Sequence, residues 1–137
     1  MKELVERIKK HEGFRSKPYR CPAGKLTIGY GRNIEDNGIT EAEASFLLAN
    51  DVQKCRYECE STFPWFAKMD KSRRSVIVEM CFNLGIKRFL GFKKMLAACA
   101  RGDYGVAADE MLDSLWARQV GNRAKKLANV MLTGEWI

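Results

Sequence analysis

Apolar side chains change their spacing twice along this chain, and those changes outline its architecture. Lys2 to His11 places Leu4, Val5 and Ile8 at helical spacing, and Gly13 follows as a stop. Glu12 then belongs to the last turn of that helix. Over residues 14–38 the helical period is lost. Pro18, Pro22, Gly24, Gly29, Gly31 and Gly38 punctuate this stretch, while Leu26, Ile28 and Tyr30 alternate with small or polar residues. That pattern predicts a short antiparallel sheet with tight turns.

From Thr40 the helical period returns and continues to the end. Thr40 and Glu43 have the spacing of a capping box. Ala44, Leu47, Leu48, Val52, Cys55 and Cys59 then predict one buried face, interrupted by Phe63-Pro64-Trp65-Phe66. Asp70 is placed to cap a helix in which Val76, Ile77, Val78, Met80, Cys81, Phe82 and Leu84 are apolar nearly all round, as in the middle of a domain. Gly85 ends it. Further helices are expected over Leu90–Ala100, after Asp103 with Ala108, Met111, Leu112, Leu115 and Trp116 inward, and after Asn122 with Gly134 as the stop. The fold class is α+β: an N-terminal helix, a small antiparallel β-lobe at about 14–38, then about five helices. A single domain over 1–137 is expected, its helical lobe covering about 40–137 plus the N-terminal helix. The join of the lobes is a natural place for a cleft, and Glu12 lies at its edge.

Composition narrows the function classes. A chain of 137 residues buries a core without disulfides or metals. The net charge of +7 favours polyanions such as nucleic acid, anionic lipid or bacterial cell wall. No helix with exposed base-reading side chains can be identified, so nucleic acid is not the expected partner. No apolar run is long enough for a membrane span and the start has no signal peptide, so a soluble product of a reducing compartment is expected, without stable membrane insertion. Cys21, Cys55, Cys59, Cys81 and Cys99 are read as free thiols, the last four on apolar helical faces. Cys55 and Cys59 lie one turn apart, but His11 is the only histidine, so no metal and no cofactor is expected.

The chemistry centres on Glu12. A carboxyl group at a helix end, partly screened from water, can hold its proton at neutral pH and donate it to a glycosidic oxygen. His11-Glu12-Gly13-Phe14 resembles the helix-end catalytic motif of phage-type lysozymes, glycoside hydrolase family 24. Thr27-Ile28-Gly29-Tyr30-Gly31-Arg32 resembles the second motif of that family. Gly38 to Ala44, Met80 to Gly85, Trp116, Asn122 to Lys126 and Thr133 to Trp136 resemble its remaining segments, in order and over essentially the whole chain. The resemblance implies a lysozyme-like fold and an endolysin that hydrolyses the β-1,4 bond between N-acetylmuramic acid and N-acetylglucosamine in peptidoglycan. It also implies a monomer that waits in the host cytoplasm until a holin opens the membrane, then acts on the wall in the periplasm.

The family pattern places an aspartate and then a threonine after the catalytic glutamate. Here the spacing is Glu12, eight residues, Cys21, five residues, Thr27, so cysteine stands in place of aspartate. The resemblance implies Glu12 as general acid, with Thr27 holding the attacking water in an inverting reaction. Lys17, Arg20 and Lys25 are close enough in sequence to favour a Cys21 thiolate. That thiolate would act as base, stabilise charge or attack the sugar; otherwise Cys21 is a bystander. Glu35 and Asp36, on the loop after the sheet, are weighed as replacement carboxylates. The resemblance further implies Arg123 as the orienting partner of Glu12, and Asn33, Phe82 and Asn83 as sugar-cleft residues, with core packing the competing role for Phe82. Two cleft positions that are polar in well-known members fall on Met95 and Leu115, and the loop from Arg32 to Thr40 is short, opening the cleft. Arg73, Arg74, Lys87, Arg88, Lys93, Lys94, Lys125 and Lys126 form a basic face suited to an anionic wall. A lytic transglycosylase and a non-catalytic wall-binding protein are the alternatives.

Overall fold

A computed structural model describes residues 1–136. Among them the chain forms nine α-helices and one three-stranded antiparallel sheet in the order β1-β2-β3. It is an α+β fold, mostly helical. The chain divides into two compact units, one of residues 1–47 and one that begins at Leu48.

The first unit holds α1 (Lys2–Glu12), β1 (Arg15–Arg20), β2 (Leu26–Gly29), β3 (Arg32–Asn33), α2 (Ile34–Asn37) and the first turns of α3 (Glu41–Thr62). Tyr19 pairs with Thr27 across β1 and β2, and Thr27 with Asn33 across β2 and β3. Thr27 is its one buried side chain among the described residues. Polar contacts therefore carry much of its order. Thr40 and Glu43 form the expected reciprocal cap, the Glu43 N–H donating to Thr40 Oγ1 at 3.1 Å and the Thr40 N–H to Glu43 Oε1 at 2.8 Å. Arg32 forks onto the same Glu43 carboxylate, with Nη1 at 2.7 Å from Oε1. The short α2 has no apolar period to announce it. It exists because Asn33 Oδ1 accepts the Asp36 N–H at 3.0 Å.

In the second unit α4 (Lys71–Leu84) runs through the core, with Val76, Ile77, Met80, Cys81 and Leu84 buried. Asp70 caps it as expected, accepting the Arg73 N–H at 3.1 Å. Helix α4 packs on α5 (Ile86–Phe89) and α9 (Asn122–Thr133), while α6 (Lys93–Ala100), α7 (Tyr104–Leu112) and α8 (Leu115–Val120) complete the unit, α7 packing on both α6 and α9. Aromatic contacts run from Phe63 onto Trp65 and Phe89, from Phe89 to Phe92, and from Phe92 to Trp116.

Several sequence expectations shift here. The apolar face of α3 is buried only at Cys59, whereas Leu47, Leu48 and Val52 are half exposed. The helix expected from Leu90 begins at Lys93, because the buried Phe89 closes the separate short α5 first. The helix capped by Asp103 stops at Leu112. Ser114 breaks it by donating to the Met111 carbonyl at 2.7 Å while accepting the Ala117 N–H at 3.1 Å, which starts α8. That break resets the phase, so Leu112 and Leu115 face outward while Met111 and Trp116 stay buried. Asn122 is the first residue of α9 rather than its cap. Gly121, with φ of 59°, ends α8 and opens α9 at once, leaving no position for a capping side chain.

Candidate active site

In the first unit α1 ends at Gly13, whose φ of 72° turns the chain out of the helix and leaves Glu12 as its last residue. Lys9, one turn earlier, stands 5.5 Å from the centre of the Tyr30 ring, and Phe14 packs on the same ring at 5.6 Å. These contacts hold the end of α1 against the turn between β2 and β3. The Glu12 side chain consequently lies on Gly31: a Cβ there would fall 2.6 Å from Glu12 Oε2 and 2.9 Å from Cδ. Glycine suits the φ of 78° that the turn requires, and its lack of a Cβ lets the Glu12 carboxylate lie on it. Glu12 is exposed rather than screened within this arrangement.

Cys21 opens the turn between β1 and β2. Its N–H donates to the Lys25 carbonyl at 3.0 Å, and its own carbonyl accepts the Gly24 N–H at 2.8 Å. The sulfur faces inward over this turn. The Lys25 backbone N–H holds the Cys21 thiol below its ordinary pKa; partial burial works against this, and the Ala23 N–H and the Thr27 hydroxyl add to it. Thr27 is buried, and its hydroxyl also donates to the Lys25 carbonyl at 2.9 Å. Its oxygen keeps lone pairs that can accept a hydrogen bond. The fold brings Cys21 and Thr27 together, as their spacing suggested.

The source of thiolate stabilisation differs from the sequence expectation. Arg20 and Lys25 serve other partners. Arg20 Nη1 is 2.9 Å from the Gly24 carbonyl and 3.5 Å from Glu35, and Lys25 Nζ is 3.2 Å from Asp36 and 3.6 Å from Glu35. Backbone N–H groups, rather than these cations, favour the thiolate. Glu35 is further occupied by the Leu26 N–H at 3.2 Å, and Asp36 by Asn33 Nδ2 at 3.0 Å. Both carboxylates are engaged in holding the end of the sheet. Asn33 spends both ends of its amide on Asp36.

In the second unit Phe82 is 42% exposed, so its ring is not spent on core packing. The neighbouring Asn83 accepts the Trp116 indole N–H at 2.7 Å, leaving its NH2 end as a donor. Leu84, Met95, Leu115 and Trp116 line a pocket of about 420 Å³ edged by Lys94 and Gln119. Met95 is buried beneath it and Leu115 is exposed on its rim. Arg123 Nε donates to Glu79 Oε2 at 3.0 Å. Glu79 was not singled out in the sequence, because a partner so far along the chain leaves no local signal. Arg73 is not a solvated surface charge. Its Nε and Nη2 donate to the carbonyls of Met131 and Leu132 at 2.6 and 2.9 Å, and its Nη1 to Asp70 at 3.0 Å. Its guanidinium lies 4.0 Å from the centre of the Tyr104 ring, tying the end of α9 to the start of α4.

Residues 9–130 match the phage lysozyme family. The chain is 30% identical to an endolysin of Acyrthosiphon pisum secondary endosymbiont phage 1, over 85% of this chain and 80% of that protein. It is 26% identical to probable T4-type lysozyme 1 of Dictyostelium discoideum, over 96% of this chain and 94% of that one. It is 28% identical to the pre-baseplate central spike protein Gp5 of Enterobacteria phage T4, over 96% of this chain but only 28% of that much longer protein. The chain belongs to the phage lysozyme family.

Proposed function

We propose that this chain is a peptidoglycan glycosidase that hydrolyses the β-1,4 bond between N-acetylmuramic acid and N-acetylglucosamine, with Glu12 as its general acid. The observation that carries this reading is the seat of Glu12 on the bare backbone of Gly31, at the small sheet whose first turn sets Cys21 near Thr27. An acid must be held in one place to protonate a leaving oxygen, and that seat limits where the carboxyl group can go. As the carbon–oxygen bond breaks, the Glu12 proton passes to the leaving sugar. A water on the opposite face of the ring, accepted by the Thr27 hydroxyl, adds to the anomeric carbon and gives its proton to the Cys21 thiolate. Phe82 and the NH2 end of Asn83 take sugar-contact roles that the family resemblance assigns, whereas Asn33 and Arg123 are held by Asp36 and Glu79. Release by a holin and lysis of a bacterial host complete the reading, supported by the likeness to a phage endolysin.

A second reading has its own support. With Cys21 in place of an aspartate, and with Glu35 and Asp36 held by Lys25 and Arg20, Glu12 is left as the one carboxyl group free for this chemistry in the sheet region. A lytic transglycosylase needs no more than one. Mass spectrometry of fragments released from purified peptidoglycan separates the two. Reducing muramic acid ends support hydrolysis, 1,6-anhydro ends support the transglycosylase, and binding to sacculi without any release leaves only a wall-binding role.

A further inference from the structure

Cys55 and Cys59 stand one turn apart on α3, and Cys81 approaches them from the last turn of α4. Glu58 shares their face of α3, since positions three and four apart on a helix lie side by side. Among the described residues this is the one place where three or more metal-ligating side chains meet: Cys55 Sγ, Cys81 Sγ and a Glu58 carboxylate oxygen all lie within 4.8 Å of one another. Cys55 and Cys59 both act on the Cys81 thiol. None of these groups belongs to the site built on Glu12.

We propose that Cys55, Glu58 and Cys81 form a binding site for one thiophilic divalent cation of the zinc type, with water completing its coordination. Tetrahedral zinc with metal–sulfur bonds of about 2.3 Å needs sulfurs about 3.8 Å apart, a spacing that small side-chain rotations reach from the present cluster. Thiolates select soft cations over magnesium or calcium. Access and shielding are also suitable. Cys55 and Glu58 are half-buried and open to an entering ion, while Cys59 and Cys81 are buried and exclude water from behind. Asp51 adds negative charge nearby and Lys54 opposes it. Burial pushes the Cys81 thiol up to about 11 and raises Cys55 as well, so both are protonated until an ion arrives. Binding breaks two S–H bonds, forms two metal–sulfur bonds and releases two protons to the buffer, with no electron transfer. Affinity therefore rises with pH. The sequence alone pointed away from a metal, because only Cys55 and Cys59 were adjacent and histidine was lacking. The packing of α4 supplies the missing sulfur.

The test titrates the reduced, full-length chain with cadmium ion alone, in a Cys21→Ala, Cys99→Ala background that removes the two thiols outside the cluster. A sulfur-to-cadmium charge-transfer band should saturate at one equivalent, with two protons released per ion in weak buffer, and zinc ion should displace the cadmium and raise Tm. Cys55→Ser and Cys81→Ala should each lose the band, and Glu58→Gln should retain it with affinity reduced about tenfold or more. Far-UV circular dichroism checks that each variant folds. If Cys81→Ala does not, the half-buried Cys55→Ser decides alone. Absence of a band at one equivalent, or its survival in Cys55→Ser, would overturn the proposal.

Discussion

Replacing Gly31 by alanine separates the cost of a strained turn from the cost of displacing Glu12, the acid proposed above. Gly31 has φ of 78°, and Gly29, two residues earlier, has φ of 71°. Alanine at either position pays about 1–2 kcal/mol for the left-handed backbone. The surroundings differ. A Cβ at Gly29 meets nothing within 4 Å, whereas one at Gly31 falls 2.6 Å from Glu12 Oε2. To reach an ordinary contact of 3.4 Å the carboxylate must retreat by about 0.8 Å. Glu12 ends a flexible, exposed side chain, so this retreat adds little to the loss of stability. Misplacing a reacting group by about 1 Å costs on the order of 100-fold in rate, or about 2.7 kcal/mol of activation energy. Urea unfolding should therefore show similar losses for Gly29→Ala and Gly31→Ala. Turnover on purified peptidoglycan should fall about 30- to 100-fold further in Gly31→Ala, mainly in kcat. Equal turnover in the two variants would refute the claim that Gly31 seats the acid.

Three other outcomes follow from the site and its scaffold. If the Cys21 sulfur acts as a base, Cys21→Ala loses most activity and Cys21→Asp retains it. The wild-type rate then rises with pH through a value below that of an ordinary thiol, since backbone N–H groups favour the thiolate, while in Cys21→Asp this limb moves to the acid range; full activity in Cys21→Ala removes the role. Arg73→Ala should cost about 2–4 kcal/mol in urea unfolding, because three charge-assisted hydrogen bonds are lost together, with Arg73→Lys restoring only part; a loss under about 1 kcal/mol would mean the clamp on α9 is unimportant. The Arg32 hydrogen bond is the main cause that lowers the Glu43 carboxyl from its usual 4.5 to about 2. Its stabilising effect is complete above the unfolded value and lost as pH falls toward 2, so wild type and Glu43→Gln should converge in stability between about pH 5 and pH 2, and a constant difference would contradict this coupling.

What could be read from the sequence was what neighbouring residues settle among themselves. The Thr40–Glu43 cap, the Asp70 cap, the all-round apolar α4 and the glycine-marked turns are local, and all form as expected. Cys21 and Thr27 meet because a short turn and one strand pairing suffice to join them. What escaped depends on chain segments far apart or on competition for a partner. Lys25 and Arg20 look available to Cys21 until Glu35 and Asp36 take them. Arg73 looks like a surface charge until the end of α9 arrives with its free carbonyls. Ser114 sits within an apolar period that hides its capping role, and Cys81 gives no sign of meeting Cys55 and Glu58.

The central claim is that Glu12 donates the proton that breaks the glycosidic bond. Its most direct test is turnover of purified peptidoglycan by Glu12→Gln, with circular dichroism and urea unfolding measured on the same sample. An amide keeps the shape of the side chain and its seat on Gly31 but cannot act as the acid. The account predicts native spectra, unchanged stability within about 0.5 kcal/mol, and no detectable release of glycan fragments. Near wild-type fragment release by a folded Glu12→Gln protein would contradict it.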